Sequence, residues 1–394
     1  MWRRRLDPDP PPGRAHVTHD RRAMDAATLR ETLLAFYDRA RRDLPWRRTD
    51  DPYAVWVSEV MLQQTRVDTV VPYYQRWMER FPDVSALARA DEDDVLGMWK
   101  GLGYYSRARN LHRAAQIVRE EYHGRLPEDP GALKALPGVG DYTAGAIASI
   151  AFRRAEPVVD GNVRRVLSRL LDMEAPSPSE LRTRAAELVD PGRPGDFNQA
   201  LMELGARVCT PGAPDCGSCS WQSTCLALAR GTVSLRPAPR ARGPVPIRRF
   251  RVAVVALASG EGIRLLLRKR PGSGLLAGMW EFPAEEVAVG EEDGGGGADP
   301  RSLLGAAVPE LEEFWGVAMP LGPGSARELG TFPHAFSHFR AEYRAFLVML
   351  EGSPRWGGLA APYRWVTPAE ADSMPLPVAQ QAILARAVES PLHP

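Results

Sequence analysis

Apolar residues recur at helical spacing through the first 230 positions and in short strand-like runs after position 247. Amphipathic stretches at Leu29 to Ala40, Val55 to Val67, Asp93 to Met98, Leu111 to Tyr122 and Ala132 to Leu136 are separated by Pro and Gly, so Ala26 to about Ala229 reads as all-α. The stretch GTVSLRPAPRARGPVPI, 231–247, repeats Pro and Arg without periodicity and is expected to be an extended linker. Beyond it, Val252 to Leu257, Ile263 to Leu267 and Glu342 to Leu350 are β-branched or aliphatic runs that predict strands of a mixed α/β domain, with EEDGGGGADP at 291–300 as a flexible loop. Residues 1–23, rich in Arg, Pro and Asp, are expected to be a disordered tail. The organisation is then a helical domain over 24–230, a linker over 231–247 and an α/β domain over 248–390.

Composition changes this picture little. With 394 residues, 44% apolar and 25% charged, two globular domains fit, and no apolar run reaches the roughly 18 residues of a membrane span. The tail lacks the apolar core and cleavage site of a secretory peptide, so a cytoplasmic location is expected. Charge adds a hint. The net +1 divides into +6 for residues 1–250 (38 Lys and Arg against 32 Asp and Glu) and −5 for the rest (12 against 17). A basic front half suits a polyanion such as DNA, though a charge of this size also occurs on ordinary solvated surfaces.

The four cysteines, Cys209, Cys216, Cys219 and Cys225, form C-x6-C-x2-C-x5-C. Four thiolates in one compact loop can hold a tetrahedral zinc or a 4Fe-4S cluster. Two disulfides would need an oxidising compartment, and zinc sites show two close pairs where this spacing has one, so the cluster is favoured. Upstream, LPGVGDYTAGAIASIA (136–151) puts a Gly-x-Gly turn before a small-residue helix, with Asp141 as its expected N-cap. Gly138 and Gly140 can take φ > 0 and, lacking Cβ atoms, let backbone N–H groups approach a phosphate. In VVDGNVRRVLSRL (158–170), Asp160 falls at a helix start, where the dipole and free N–H groups predict a low pKa. Taken alone, it could be a cap with no chemistry.

The cysteine spacing resembles the iron-sulfur loop of the endonuclease III superfamily of DNA glycosylases, and LPGVG resembles its helix-hairpin-helix. The resemblance implies that the cluster is structural and that Gly138, Val139 and Gly140 meet a DNA phosphate, with Leu136 and Val139 packing the two helices. It further implies that Asp160 stabilises the positive sugar left when a base departs. Arg207 becomes a candidate phosphate contact, or else a surface salt bridge. DLPWR (43–47), DPYAVWVSEVMLQQTRV (51–67), GLGYYSRARNLH (101–112) and ALMELGARVC (200–209) are more narrowly similar to the MutY adenine glycosylases.

Asp51 and Pro52 start a helix expected to carry Glu59 and Gln63 on one polar face amid Val55, Trp56, Val60 and Met61. Cleaving an adenine glycosidic bond requires a proton on the leaving purine. Glu59, among apolar and aromatic neighbours, could be kept protonated by desolvation, and its motif position implies a general acid toward adenine N7. Where strand-cutting relatives carry a lysine, this chain has Tyr142. No Schiff base can form there, so a monofunctional enzyme leaving an abasic site is expected, with Tyr142 beside Asp160 and Asn162. The resemblance also implies that Gln64, Leu102 and Tyr104 wedge into the duplex near the orphaned partner base, and that Trp46, Arg47 and Glu203 line the adenine pocket.

In the second domain, LLLRKRPGSGLLAGMWEFP (265–283) resembles the Nudix-like domain of the same proteins. The nearest candidate for a metal-binding Nudix helix, VPELEEFWG (308–316), lacks the required arginine and carboxylate spacing, so the fold is expected to serve recognition. Phe336, Ser337 and His338 match the loop that contacts 8-oxoguanine. Oxidation turns N7 of guanine into an N–H donor, which a serine hydroxyl can accept. The expected partner is therefore double-stranded DNA with adenine opposite 8-oxoguanine or guanine. Three alternatives stand beside this reading: an endonuclease III-like glycosylase/lyase for oxidised pyrimidines, a Nudix nucleotide-pool pyrophosphatase, and a catalytically silent DNA-binding module.

Overall fold

The computed structural model describes residues 25–239, 243–259, 262–287, 299–309, 326–350 and 361–390. The N-terminal tail, the loop over 291–298 and most of the 308–316 stretch lie outside the described residues.

The helical part runs α1 (Ala26–Ala40), α2 (Pro52–Leu62), α3 (Val67–Arg80), α4 (Val84–Arg89), α5 (Glu92–Met98), α6 (Ser106–Glu121), α7 (Pro130–Ala135), α8 (Asp141–Ile150), α9 (Gly161–Leu170), α10 (Pro178–Leu188), α11 (Pro194–Arg207) and α12 (Leu226–Ala229). Local chemistry sets most of the starts. The side chains of Asp25, Asp51, Asp83, Asp129, Asp160 and Ser177 each accept from first-turn N–H groups, and Pro52, Pro130, Pro178 and Pro194 occupy first helical positions, where a missing N–H costs nothing.

One boundary departs from the apolar pattern. The run Val55 to Val67 is not continuous helix: α2 ends at Leu62, Gln63 leaves the helical region, and Gln64 takes φ +58 before α3 begins. Hydrophobic periodicity does not register a single left-handed residue.

Two compact units cut across chain order: the residues through Arg41 join Val159–Ala238, and Arg42–Val158 join the residues from Pro239 onward. In the first, α1, α9, α10 and α11 bury Leu33, Tyr37, Val163, Leu167, Phe197, Leu201 and Trp221 in one core. Trp221, which is fully buried, donates its indole N–H to Leu29 O. The expected linker divides. Its first residues fold back onto this unit: Arg236 joins Arg230, which precedes the linker, at the buried carboxylate of Asp172, each at 2.8 Å, Thr232 Oγ1 donates to it, and Ala238 N donates to Glu174 O. Residues 240–242 lie outside the described residues.

In the second unit, a core around Trp56, Trp77, Phe81, Trp99, Leu111 and Ile147 supports α2 to α8. The same unit holds a seven-stranded sheet of β1 (Ile247–Ser259), β2 (Gly262–Lys269), β3 (Trp280–Glu281), β4 (Ala284–Val287), β5 (Ala326–Ala335), β6 (Arg340–Leu350) and β7 (Tyr363–Val366). The order is β3-β2-β1-β6-β5, with β4 on β1 and β7 on β2. Only β1 and β6 pair in parallel, Ile247 opposite Arg340 through Leu257 opposite Leu350. Central β1 is buried without a break from Val252 to Leu257, with alternate residues feeding separate cores on the two faces. One core packs under α13 (Pro300–Ala307). The other packs under α14 (Pro368–Ser373) and α15 (Val378–Glu389). This is the expected order of a helical domain and then an α/β domain. No helix among the described residues is long and apolar enough to cross a membrane.

Candidate active site

Glu59 lies on a helix with no exposed face: every residue from Tyr53 to Met61 is buried, Glu59 at 5% exposure. The expected polar face shared with Gln63 does not exist. Gln63 stands at the C-cap, where its Nε2 donates to Thr143 Oγ1 on α8 (3.2 Å). The partner that matters comes from the start of α8. Tyr142 Oη donates to Glu59 Oε2 at 2.6 Å, a short bond between a half-buried phenol and a buried carboxyl.

The turn before α8 is formed differently from expectation. Only Gly138 has positive φ (+76), and a Cβ there would fall 2.7 Å from Asn110 Cβ; Gly140 is extended at φ −95. Gly140, not Asp141, is the N-cap. Asp141 sits in the first turn and pairs with Lys134 (3.2 Å) across the hairpin. Val139 spends its N–H on Leu136 O, and Leu136 and Val139 are both buried in the helical core. Two exposed glycines therefore flank a buried valine at the start of α8.

In the other compact unit Asp160 caps α9, its Oδ1 accepting from Val163 N (2.6 Å) and its Oδ2 from Asn162 Nδ2 (2.9 Å). The expected low pKa is not found. Burial pushes the Asp160 carboxyl above its ordinary value, and the hydrogen bonds from Val163 and Asn162 offset this only in part. The helix start was legible in the sequence, whereas the loss of water around it is tertiary.

Two arginines that the sequence reading missed hold this cap and the cysteine loop. Arg165 donates to Asn162 Oδ1 (2.9 Å), Gly205 O (2.7 Å) and Cys209 O (2.7 Å). Buried Arg169 donates to the carbonyls of Thr210, Pro211, Val233 and Arg236 and lies 3.3 Å from Cys209 Sγ. Their spacing at i, i+4 on α9 was the available signal.

None of the four cysteines is in a disulfide, and Cys209, Cys216, Cys219 and Cys225 line one pocket with Arg169. They are not drawn into a set of three or more that would hold a metal ion, nor is any other His, Cys, Asp or Glu group among the described residues. Burial pushes the Cys219 thiol up to about 11 and raises that of Cys225. Four partly buried sulfurs on one pocket, with an arginine N–H on one of them, suit a soft-ligand centre that would take them as thiolates.

The remaining candidates fall into contrasting settings. Trp46 is buried, edge-on to Tyr74 (5.3 Å), and Arg47 Nη1 donates to Arg42 O (3.2 Å). Glu203 is wholly buried on α11, 3.8 Å from Arg207, which also donates to Ala40 O at the end of α1. Arg207 is thus engaged within its own unit. Gln64 and Tyr104 are both exposed, Tyr104 at 44%, and both hold left-handed backbone (φ +58 and +47), a conformation that costs on the order of 1 kcal/mol. Leu102, by contrast, is buried in the helical core.

A cavity of about 400 Å³ brings Leu102 and Tyr104 together with Phe336, Ser337 and His338. The last three form the tip between β5 and β6: Phe336 stacks on Phe339 (4.5 Å), Phe336 N donates to Phe339 O, and Ser337 Oγ lies 3.2 Å from His338 Nδ1. In the Nudix-like part, both Glu281 oxygens are taken by arginines, Arg268 at 2.7 Å and Arg270 at 2.5 Å.

Comparison with known proteins agrees with both halves. Residues 57–191 match the HhH-GPD superfamily base excision DNA repair protein model, and residues 253–386 match the NUDIX domain model. The adenine DNA glycosylase of Homo sapiens is 40% identical over 401 residues, covering 88% of this chain and 71% of that protein; that of Mycolicibacterium smegmatis is 45% identical over 215 residues, covering 52% and 72%. Among solved structures, a thermostable thymine-DNA glycosylase shares the helical fold at 30% identity and a TM-score of 0.50, covering 52% of this chain and 97% of its own. The agreement with the human protein spans both domains and most of each chain, so this chain belongs to the adenine DNA glycosylase family, base-excision repair enzymes that hydrolyse the N-glycosyl bond of adenine.

Proposed function

We propose that the protein removes adenine from double-stranded DNA where it lies opposite 8-oxoguanine or guanine, as a monomeric, cytoplasmic, nucleoid-associated and monofunctional enzyme. Glu59 gives a proton to adenine N7 and the glycosidic electron pair leaves with the purine. The sugar becomes an oxocarbenium ion, which the Asp160 anion stabilises. Water then adds at C1′, loses a proton and leaves an abasic site. The observation that carries this reading is the 2.6 Å bond from Tyr142 to the buried carboxyl of Glu59. It gives the acid one orientation, and it puts a phenol where lyase chemistry would need an amine.

Recognition is assigned to the surfaces that stand open. Gly138 and Gly140 receive a backbone phosphate, with Val139 packing the turn between them. Gln64 and Tyr104 enter the duplex with Leu102 behind them, and Phe336, Ser337 and His338 read the partner base. Trp46, Arg47 and Glu203 shape the adenine pocket, and Asn162 orients Asp160. Cys209, Cys216, Cys219 and Cys225 would hold a 4Fe-4S cluster as a structural clamp on the loop that Arg165 and Arg169 tie to α9.

The test uses duplexes carrying adenine opposite 8-oxoguanine or opposite thymine, incubated with protein and then heated in alkali. Cleavage of the adenine strand is expected only in the first, lost in Glu59→Gln, with no borohydride-trapped adduct. Cutting that needs no alkali, or a trapped adduct, would favour the lyase alternative.

A further inference from the structure

Arg107 lies on α6 and is 8% exposed. Its Nη1 donates to the carbonyls of Val60 (2.9 Å), Met61 (2.8 Å) and Gln63 (2.6 Å), and its Nη2 to Thr65 Oγ1 (3.2 Å) and the carbonyls of Leu102 (3.2 Å) and Gly103 (3.1 Å). One guanidinium thus closes the end of α2, the turn that follows it and the loop before Tyr104. It also lies 5.5 Å from the centre of the Tyr104 ring and 5.2 Å from that of Trp99.

The chemistry of this arrangement is restrictive. Five carbonyl oxygens gathered around one guanidinium, three at Nη1 and two at Nη2, repel one another and, without a cation, would be left partly desolvated and unpaired. A planar fork whose two nitrogens diverge can serve both loops at once; a lysine ammonium is a single point and cannot span them. The two loops hold Gln64 and Tyr104, whose exposed side chains ride on backbone that these residues do not favour by themselves. Their conformations depend on what lies beneath them, and for both that is Arg107.

We propose that Arg107 is a positioning residue that couples the Tyr104 loop to the end of the helix carrying Glu59, so that the partner base met at Tyr104 governs how well α2 is set for excision. This rests on the assignment of Tyr104 to the partner base. Single-turnover rates on adenine opposite 8-oxoguanine and opposite guanine test it, read as the ratio of the two. Arg107→Lys and Tyr104→Ala are each expected to lower the ratio about tenfold, and the double variant no further, because both cut the same link. Val118→Ala, a core truncation on the same helix, lowers Tm but is expected to keep the ratio.

If Arg107→Lys does not fold, Thr65→Val removes the hydroxyl that accepts from Arg107 Nη2 (3.2 Å) and donates to Gln63 O (3.4 Å), and a fall of about two- to threefold is expected. If Tyr104→Ala leaves the ratio intact, the Tyr104 assignment fails and the inference with it. If Tyr104→Ala lowers the ratio while Arg107→Lys and Thr65→Val do not, the coupling alone is overturned. It is equally overturned if the double variant multiplies the two losses or if Val118→Ala lowers the ratio as much.

Discussion

Glu59 sits on a helix buried on every side and bonded to Tyr142, whereas Ser337 and His338 stand exposed at a hairpin tip whose own hydrogen bonds are local. Both belong to the same compact unit. The difference fits the role proposed for each. A proton donor must be shielded from water and held in one orientation before substrate arrives, so its bonds are made inside the protein. A group that reads a base must keep its hydrogen-bonding capacity for the ligand, so it stays at the surface on a braced turn, here the stack of Phe336 on Phe339. Substitutions in the first region should therefore act on rate, and those in the second on discrimination.

The largest effect is expected for Glu59→Gln, which keeps an acceptor for Tyr142 but cannot donate a proton as an acid. Single-turnover excision should fall by at least about 10³-fold while mispair binding, followed by gel shift, stays near that of the unaltered protein. Equal losses of binding and rate would break the contrast between the two regions.

Next comes Asp160→Asn, expected to lower the rate by about 10²- to 10³-fold while making the fold more stable. The sign follows from the raised pKa of Asp160 in the fold. Between the unfolded value, about 3.9, and the higher folded one, the native state holds more protons, so stability falls as pH rises through that window and stays lower above it. The Tm of Asp160→Asn should exceed that of the unaltered protein at pH 7, and the difference should vanish below about pH 4. A lower Tm for the variant at neutral pH would mean that the carboxylate is on balance a stabilising cap.

Tyr142→Phe removes one hydrogen bond to a buried carboxyl and should cost roughly 10- to 100-fold in rate, with no gain of borohydride trapping. The smallest effect is expected for Ser337→Ala: about a fivefold loss of preference for 8-oxoguanine over guanine opposite adenine, with the rate at saturating protein unchanged. A loss of rate with preference intact would remove Ser337 from recognition.

Much of this site was legible because its signals are local. The cysteine spacing, the LPGVG turn and the aspartates before helices are short strings whose chemistry does not depend on distant neighbours. The errors share the opposite property. Periodicity carried α2 through to Val67 because nothing near Gln64 announces its left-handed backbone; Arg107, more than forty positions away, supplies the bonds that close the helix there. Reasoning from the helix dipole predicted a low pKa for Asp160 because the dipole belongs to the helix, whereas the burial that overrides it belongs to the fold. Likewise the N-cap of α8 falls to Gly140, while the carboxylate of Asp141 in the first turn pairs with Lys134 across the hairpin.

By itself the sequence determined which residue types exist at which spacing: a helical half, a strand-rich half, four thiols in one loop, an acid on an apolar helix and a carboxylate at a helix start. Only the tertiary structure decided how much water each group keeps and which distant partner it meets. Desolvation and long-range hydrogen bonds depend on contacts between segments far apart in the chain. Those contacts are what set the orientation of Glu59, the direction of the Asp160 shift and the shape of the two loops over Arg107.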